Sequence, residues 1–207
     1  MVCSVRLVHG KESVRVLVKR SIKYLGLVLD SRLNYEIHFT QVTPRVEKTA
    51  ISLGRLLPNF GGPREKVRRL YTAVTQSMLL YGSPIWAEDR KITSKNTKAL
   101  RKLQRLMAIR VIKAYRTISA EAAITLAGMT PLDHLAGAYT EIYWGCRQRE
   151  QGSKEAPVDT ESVRQNAIRR AQEAWRRELE STGTSRKRAI AAILPNWERW
   201  MEEGRDV

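Results

Sequence analysis

The chain has 207 residues, with 37 Lys and Arg against 21 Asp and Glu, which gives a formal net charge of +16 at pH 7 and a pI near 10.3. This length holds one large domain or two small ones and can bury a real core. The charge favours a polyanionic partner, nucleic acid above all, because phosphates neutralised by Lys and Arg release condensed counterions. A structural role of the ribosomal type and a membrane-surface role are the alternatives.

The two cysteines, Cys3 and Cys146, lie far apart and form no Cys-x-x-Cys motif. A disulfide framework and a structural zinc site are therefore both unsupported. No apolar run approaches the roughly 20 residues of a membrane helix, and the first eleven residues lack a signal-peptide pattern. We expect an intracellular protein, in the nucleus or the cytoplasm, without a membrane partner.

The N-terminal part has the pattern of a small β region. Residues 3–9 and 14–19 alternate apolar and polar side chains around a turn signal, which predicts a β-hairpin. Residues 22–30 predict a third, buried strand with Gly26 in its middle, and such a glycine indicates a bulge or a close approach of another backbone. Three apolar strands are not stable alone, so they require helices of this chain or a partner.

Apolar residues at helical spacing predict helices from residue 35 onward. Pro44 is expected to interrupt the first helix, at about 35–57, and residues 58–63 are a breaker and a plausible hinge. Further helices are predicted at about 64–80, 94–115, 120–127, from 130, at 163–179 and near Trp200, with a linker composition at 152–160. The apolar stripe predicted for the second helix consists of Val67, Leu70, Tyr71, Val74 and Met78.

Basic side chains concentrate on two consecutive predicted helices. The first turns of one carry Arg64, Lys66, Arg68 and Arg69, where the helix dipole favours acids; this indicates a partner that supplies negative charge. One arc of the next carries Lys95, Lys98, Arg101, Lys102, Arg105 and Lys113. Interleaved with Tyr71, Tyr81, Trp86 and Tyr115, such faces fit a surface that follows a phosphate backbone without reading sequence. Solvated helix faces and core aromatics are the alternative interpretation.

The sequence offers no arrangement typical of a catalytic centre. Two-metal phosphoryl transfer needs clustered carboxylates, whereas the aspartates are scattered and Glu88-Asp89 is an isolated pair. No His-x-x-x-His spacing occurs, and Pro63 removes a donor from the Gly61-Gly62 loop. Cys146 has no histidine close in sequence, which indicates a packed thiol. We expect that the chain does not catalyse on its own and binds no cofactor.

Residues 119–136 have the outline of a helix-turn-helix, with a turn at Gly128. The second of these helices carries Asp133 and almost no basic or amide side chains, which suits it poorly to reading bases. Sequence-specific duplex recognition is therefore the weaker alternative.

Four groups of short motifs occur in a fixed order. They are Lys23-Tyr24-Leu25-Gly26 with Leu29-Asp30, Leu33 and His38; residues 79–86 (Leu-Leu-Tyr-Gly-Ser-Pro-Ile-Trp); residues 103–105, 114–119 and 126–132; and Trp175 with residues 193–197. Together they cover nearly the whole chain. In this order they resemble the reverse transcriptase of jockey-type non-LTR retrotransposons, from the end of the palm through the thumb to the stretch before its C-terminal Cys/His region.

The resemblance implies an α+β, mostly α-helical fold: a small N-terminal antiparallel sheet of about three strands, then a thumb-like helical bundle and C-terminal helices. Its expected domains are a palm-end β region at 1–34, a thumb-like helical domain at 35–150, a linker at 151–160 and a C-terminal basic helical region at 161–207. It implies a fragment of an RNA-directed DNA polymerase, because the family's catalytic Ala-Asp-Asp segment lies upstream and is absent here. Mg²⁺ is expected only in the complete polymerase.

By the same resemblance, residues 22–30 lie near the primer terminus and the helices from 35 to 116 grip the template-primer duplex. The expected partners are an RNA template and an RNA–DNA duplex, with no small-molecule substrate. The candidate nucleic-acid-binding residues are Lys23, Tyr24, Gly26, Arg64, Arg68, Lys98, Arg101, Lys102, Arg105, Lys113 and Arg116. The alternative is a non-catalytic helical module for protein interaction or assembly, because a sheet lacking the rest of its palm leaves an apolar patch.

Overall fold

A computed structural model describes residues 4–9, 12–88, 92–152, 159–181 and 188–203. Its strands form two antiparallel two-stranded sheets, β1 with β2 and β3 with β4. The strands are β1 (Ser4–His9), β2 (Glu12–Leu17), β3 (Ser21–Tyr24) and β4 (Leu27–Asp30). The predicted fold class is confirmed, mostly helical with a small N-terminal β region, although four strands replace the expected three.

The helices occupy most of the remaining described chain. They are α1 (Glu36–Arg55), α2 (Glu65–Leu80), α3 (Ser83–Trp86), α4 (Ser94–Val111), α5 (Ala120–Leu126), α6 (Leu132–Gly152), α7 (Thr160–Ser181), α8 (Arg188–Ile193) and α9 (Trp197–Glu203), with a 3₁₀ turn at Leu194–Asn196. Among the described residues, none of these helices has the length and apolar character needed to cross a membrane.

The single strand predicted over residues 22–30 is wrong, because the segment is a tight hairpin. β3 and β4 pair in the register Tyr24↔Leu27, and the two turn residues Leu25 and Gly26 have φ values of 44° and 86°. Two positive φ angles in a two-residue loop are typical of a type I′ turn. Gly26 therefore turns the chain instead of interrupting a strand. Leu25 hid this turn, since leucine rarely adopts a positive φ.

α1 runs through Pro44 without a break, so the predicted interruption is also wrong. Proline removes one intrahelical hydrogen bond and crowds the preceding turn. Phe39, Val46 and Ala50 nevertheless bury one continuous face of this helix. Most helical stability in proteins comes from such packing, and here it outweighs the local preference at Pro44.

Two large apolar clusters share α4. One joins β4 and the helices α1, α2, α3, α4 and α6, around Trp86 and Leu100, which are fully buried. The other joins the C-terminal end of α4 to α5, α7, α8 and α9, around Ile124, Trp175 and Trp197. The described part of the predicted C-terminal region thus packs on α4 and α5. The domain boundaries stay predictions, and residues 153–158 of the predicted linker lie outside the described residues.

α2 buries a face rotated from the predicted one: Tyr71 and Met78 of the predicted stripe are partly buried against the apolar clusters, and the rest of the stripe is exposed. The buried residues of α2 include Arg68, Thr72 and Thr75, whereas Val67, Leu70 and Val74 are 40%, 68% and 43% exposed. The buried polar groups are satisfied: Thr72 Oγ1 donates to the carbonyl of Arg68, and Thr75 Oγ1 donates to that of Thr72. Satisfied polar groups can be buried without the large cost of an orphaned donor. An apolar stripe therefore remains on the surface of α2.

Candidate nucleic-acid interface

Three lysines, Lys95, Lys98 and Lys102, lie one turn apart on α4 and form an exposed surface, here called the lysine face. Thr93 caps the start of this helix by accepting a hydrogen bond from the Asn96 amide. Lys102 Nζ lies 3.5 Å from a carboxylate oxygen of Glu47 on α1. Within the described chain, Lys95 and Lys98 form no ion pair. The lysine face therefore presents positive charge to solvent along most of its length.

The same side of α4 continues into a groove between the C-terminal ends of α1 and α4, here called the arginine groove. Its cavity has a volume of about 400 Å³, and Leu106 and Ile109 of α4 contribute to its apolar wall. Three arginines line it, and none of its described lining residues is acidic. The full described lining is Ala50, Ile51, Gly54, Arg55, Asn59, Leu106, Ile109, Arg110, Ala114, Tyr115 and Arg116.

The loop after α4 forms one rim of the arginine groove and is held by Arg105. Arg105 Nε and Nη2 donate to the carbonyl of Ile118, at 3.0 and 2.7 Å, and Nη2 also donates to the carbonyl of Arg116. From the loop after α1, Asn59 Nδ2 donates to the carbonyl of Ala114 at 3.1 Å. These bonds fix the backbone beneath Tyr115, which is 85% exposed.

Arg105 therefore positions the loop, and its guanidinium is engaged inside the protein. Lys113 and Arg116 are both exposed, and Lys113 has a positive φ of 54° at the end of α4. Of the residues predicted from the sequence, Arg116 lines the arginine groove and Lys98 and Lys102 form the lysine face. Arg55 and Arg110 were missed, because their place beside the groove depends on how α1 packs on α4.

Arg68, one of the predicted residues, lies inside the protein. Its side chain is fully buried, and its guanidinium donates to four carbonyl oxygens, those of Leu57, Pro58, Pro63 and Arg110, at 2.5 to 3.3 Å. Burial lowers the pKa of this guanidinium, and the neighbouring Arg110 charge lowers it further. Arg68 therefore joins the 57–63 loop to the end of α4 through these four carbonyls. Arg64, one turn earlier, is exposed.

The guanidinium of Arg101, another of the predicted residues, lies between two carboxylates. It donates to Asp133 of α6 at 3.0 and 2.7 Å and to Glu178 of α7 at 2.5 and 2.8 Å. His134 Nε2 lies 2.8 Å from Glu178 Oε2. The hydrogen bond from Arg101 is the main cause that lowers the pKa of Glu178 to about 2, and the same bond raises the pKa of Arg101. This cluster joins α4, α6 and α7.

The three predicted residues of the β3–β4 hairpin lie on the surface and outside the arginine groove. Lys23 and Tyr24 are exposed, and Gly26 borders a separate cavity of about 490 Å³ with His38, Arg45 and Tyr81. A Cβ atom on Gly26 would lie 3.0 Å from Tyr81 Cε1. The close approach expected at Gly26 is therefore made by a tyrosine ring of this chain.

Asp30 and His38 make local contacts between the β3–β4 hairpin and the segment that begins α1. Asp30 accepts hydrogen bonds from the backbone amides of Arg32, Asn34 and Tyr35 and so shapes the turn before α1. His38 Nδ1 lies 3.4 Å from the amide of Val28, and burial lowers its pKa. Within the described ranges, no three His, Cys, Asp or Glu side chains are grouped closely enough to hold a metal ion. Asp89 of the acidic pair lies outside these ranges.

Three relatives share 25–29% identity with about 55% of the chain. It is 29% identical over 118 residues to a putative 115 kDa protein in type-1 retrotransposable element R1DM of Drosophila melanogaster. It is 26% and 25% identical over 115 and 116 residues to retrovirus-related Pol polyproteins from type-1 retrotransposable elements R1 4 of Nasonia vitripennis and R1 of Bradysia coprophila. The chain is similar to retrotransposon proteins.

These matches support a retrotransposon-derived protein, and that part of the predicted resemblance is confirmed. The matched residues make up only 11%, 29% and 12% of the three relatives. The relatives come from R1 elements, so the narrower assignment to the jockey type and to the C-terminal part of the reverse transcriptase stays a prediction. No protein-family model matches the chain, and no solved structure matches it significantly.

Proposed function

We propose that the chain is a fragment of the RNA-directed DNA polymerase of a non-LTR retrotransposon, comprising the palm end, the thumb and a following helical region. In this proposal it lacks the catalytic carboxylates, does not polymerise on its own, and binds an RNA template or RNA–DNA duplex. Two of its relatives are named Pol polyproteins, and the ordered motifs at residues 23–38, 79–86 and 103–132 support the same assignment.

The basic surface along α4 is the observation that carries nucleic-acid binding. From Lys95 to Arg110 the helix rises about 22 Å, at about 1.5 Å per residue. The lysine face occupies its first half and the arginine groove its second half. At about 3.4 Å per phosphate of one strand, this length passes roughly six phosphates. Contacts of this kind hold a backbone without selecting a sequence.

The test is a titration of an RNA–DNA duplex against salt, with two variants of equal charge. One carries Lys95→Gln, Lys98→Gln and Lys102→Gln. The control carries Arg164→Gln, Arg169→Gln and Arg177→Gln, which removes three exposed cations from α7. The logarithm of the binding constant should fall linearly with the logarithm of salt concentration, by about 0.9 for each phosphate contact.

The lysine-face variant should therefore have a shallower slope by up to about three contacts, whereas the α7 variant should keep the parent slope. A flat salt response, or no binding at low salt, would contradict nucleic-acid binding by this chain. Equal loss in both variants would show that binding follows net charge and is not placed on α4.

A protein-interaction module is the second candidate, and the exposed apolar stripe of α2 favours it. Val67, Leu70 and Val74 lie on one side of the helix, and Leu70 lines a groove of about 460 Å³ with Lys66 and Arg69. An amphipathic helix of a partner with acidic flanks complements both the apolar stripe and the cations. A synthetic helical peptide of this type tests the idea: Leu70→Gln should weaken its binding and leave duplex binding unchanged.

A further inference from the structure

We propose that the arginine groove binds a single-stranded segment of nucleic acid, with one unpaired base stacked on Tyr115 and the adjoining phosphates held by Arg55, Arg110 and Arg116. The inference rests on the proposed function and deepens it, because it specifies the form of nucleic acid and the side chains that receive it.

Tyr115 has the properties of a stacking platform. The residue is 85% exposed, although it belongs to a loop whose backbone is fixed by Arg105 and by the bond from Asn59 to Ala114. A rigid backbone under an exposed aromatic ring lowers the entropic cost of binding a ligand against that ring. Aromatic rings stack on any base, because every base has a π face.

The arginines around Tyr115 supply the phosphate contacts. Arg55 and Arg116 are exposed, Arg110 is half-buried, and within the described residues none of the three pairs with a carboxylate. The positive charge of Arg110 also repels that of the nearby buried Arg68 and lowers the pKa of Arg68. An anion in the groove would offset this repulsion. The planar guanidinium group binds phosphate oxygens in pairs, so this set is suited to a phosphodiester backbone.

Asn59 lines the same groove and carries an unpartnered oxygen beneath its surface. Its Nδ2 donates to the carbonyl of Ala114, whereas its Oδ1 is buried and has no partner within the described residues. Buried acceptors are rarely left without a donor. Because this oxygen has no solvent-accessible surface, the exocyclic amine of a base or a ribose hydroxyl reaches it only after the Asn59 side chain turns toward the groove.

The base must be unpaired for geometric reasons. A base inside a duplex is covered on both faces by its neighbours, so its face is unavailable to an aromatic side chain, whereas single strands splay their bases out. The cavity, at about 400 Å³, falls within the range of sites for small ligands. It is therefore large enough for one nucleotide.

The test uses the full chain and a short single-stranded oligonucleotide that contains 2-aminopurine, whose fluorescence is quenched by stacking. Three variants are compared with the parent: Tyr115→Ala, Tyr115→Phe and, as a control, Tyr143→Ala, which removes another partly exposed tyrosine outside the groove. Circular dichroism establishes that each variant is folded. Tyr115→Ala should abolish the quenching and weaken binding about tenfold, whereas Tyr115→Phe and Tyr143→Ala should behave as the parent.

The outcomes separate the two proposals. Salt-dependent binding with unchanged quenching in Tyr115→Ala would overturn the stacking site and leave the proposed function standing. An equal loss of single-strand and duplex affinity in Tyr115→Ala would also overturn it, since the groove would then not select unpaired bases. If the parent chain bound neither form at low salt, both proposals would fail together.

Discussion

The hydroxyl group of Tyr81 donates a hydrogen bond to the carbonyl oxygen of Leu25, with 2.7 Å between the two oxygens. This bond joins the end of α2 to the turn of the β3–β4 hairpin. At the next residue, a Cβ atom on Gly82 would lie 2.8 Å from Leu27. The motifs at residues 23–26 and 79–86, which are far apart in sequence, therefore meet directly, and each leaves room for the other.

Replacing Gly26 by alanine tests this contact. Its φ of 86° disfavours any side chain, and the new Cβ would lie 3.0 Å from the Tyr81 ring. We expect Gly26→Ala to lower the free energy of unfolding by about 2 kcal/mol or more, measured by urea denaturation. Gly61→Ala is the matched control, because Gly61 has a φ of 65° and open space around it; its cost should be about 1 kcal/mol. Equal costs would show that Tyr81 does not constrain the turn.

Arg68 should be essential for stability and not for binding. Arg68→Met leaves four carbonyl oxygens without their donor, and each hydrogen bond from a charged group contributes about 1.5–3 kcal/mol. We expect a loss of about 3 kcal/mol or more in the free energy of unfolding. Arg64→Met, which truncates an exposed arginine one turn earlier, should change it by less than about 0.5 kcal/mol. Similar midpoints for the two variants would contradict the structural role of Arg68.

Glu178 should make the free energy of unfolding depend on pH in the acidic range. Its pKa is about 2 in the folded chain and near the usual 4.5 when unfolded, so the unfolded state binds more protons between these values. The stabilisation by Glu178 is therefore complete above about pH 4.5 and is lost as the pH falls toward 2. Denaturation midpoints measured across this window should show it.

Glu178→Gln should flatten that pH dependence and lower stability at neutral pH. Glu180→Gln, which breaks the exposed pair with Arg176 on the same helix, should leave the acid profile unchanged, because exposed ion pairs contribute little. If Glu178→Gln kept the parent profile, the cluster of Arg101, Asp133 and Glu178 would not hold α7 on α4.

Sequence periodicity predicted the first hairpin and most helices, because these depend on local patterns. Periodicity did not predict packing that depends on residues distant in the sequence. α2 buries Arg68 because the carbonyls of Pro58 and Arg110 surround the guanidinium, and neither partner can be identified from the sequence of α2. The β3–β4 turn was not predicted for a local reason, because a leucine such as Leu25 does not indicate a positive φ.

The candidate interface was likewise predictable from the sequence only in part. The spacing of Lys95, Lys98 and Lys102 places them on one helix face, so the lysine face was visible in the sequence. The arginine groove was predicted only in part from the sequence, through Tyr115 and Arg116. Its remaining arginines belong to different helices, and only the packing of α1 on α4 brings them together.

A lysine-acetylation footprint, read by mass spectrometry with and without an RNA–DNA duplex, tests nucleic-acid binding along α4 most directly. Binding along α4 predicts that the duplex protects Lys95, Lys98 and Lys102, while Lys66, exposed on α2, reacts as in the free chain. Protection of Lys66 with unchanged reactivity at Lys95, Lys98 and Lys102 would contradict it.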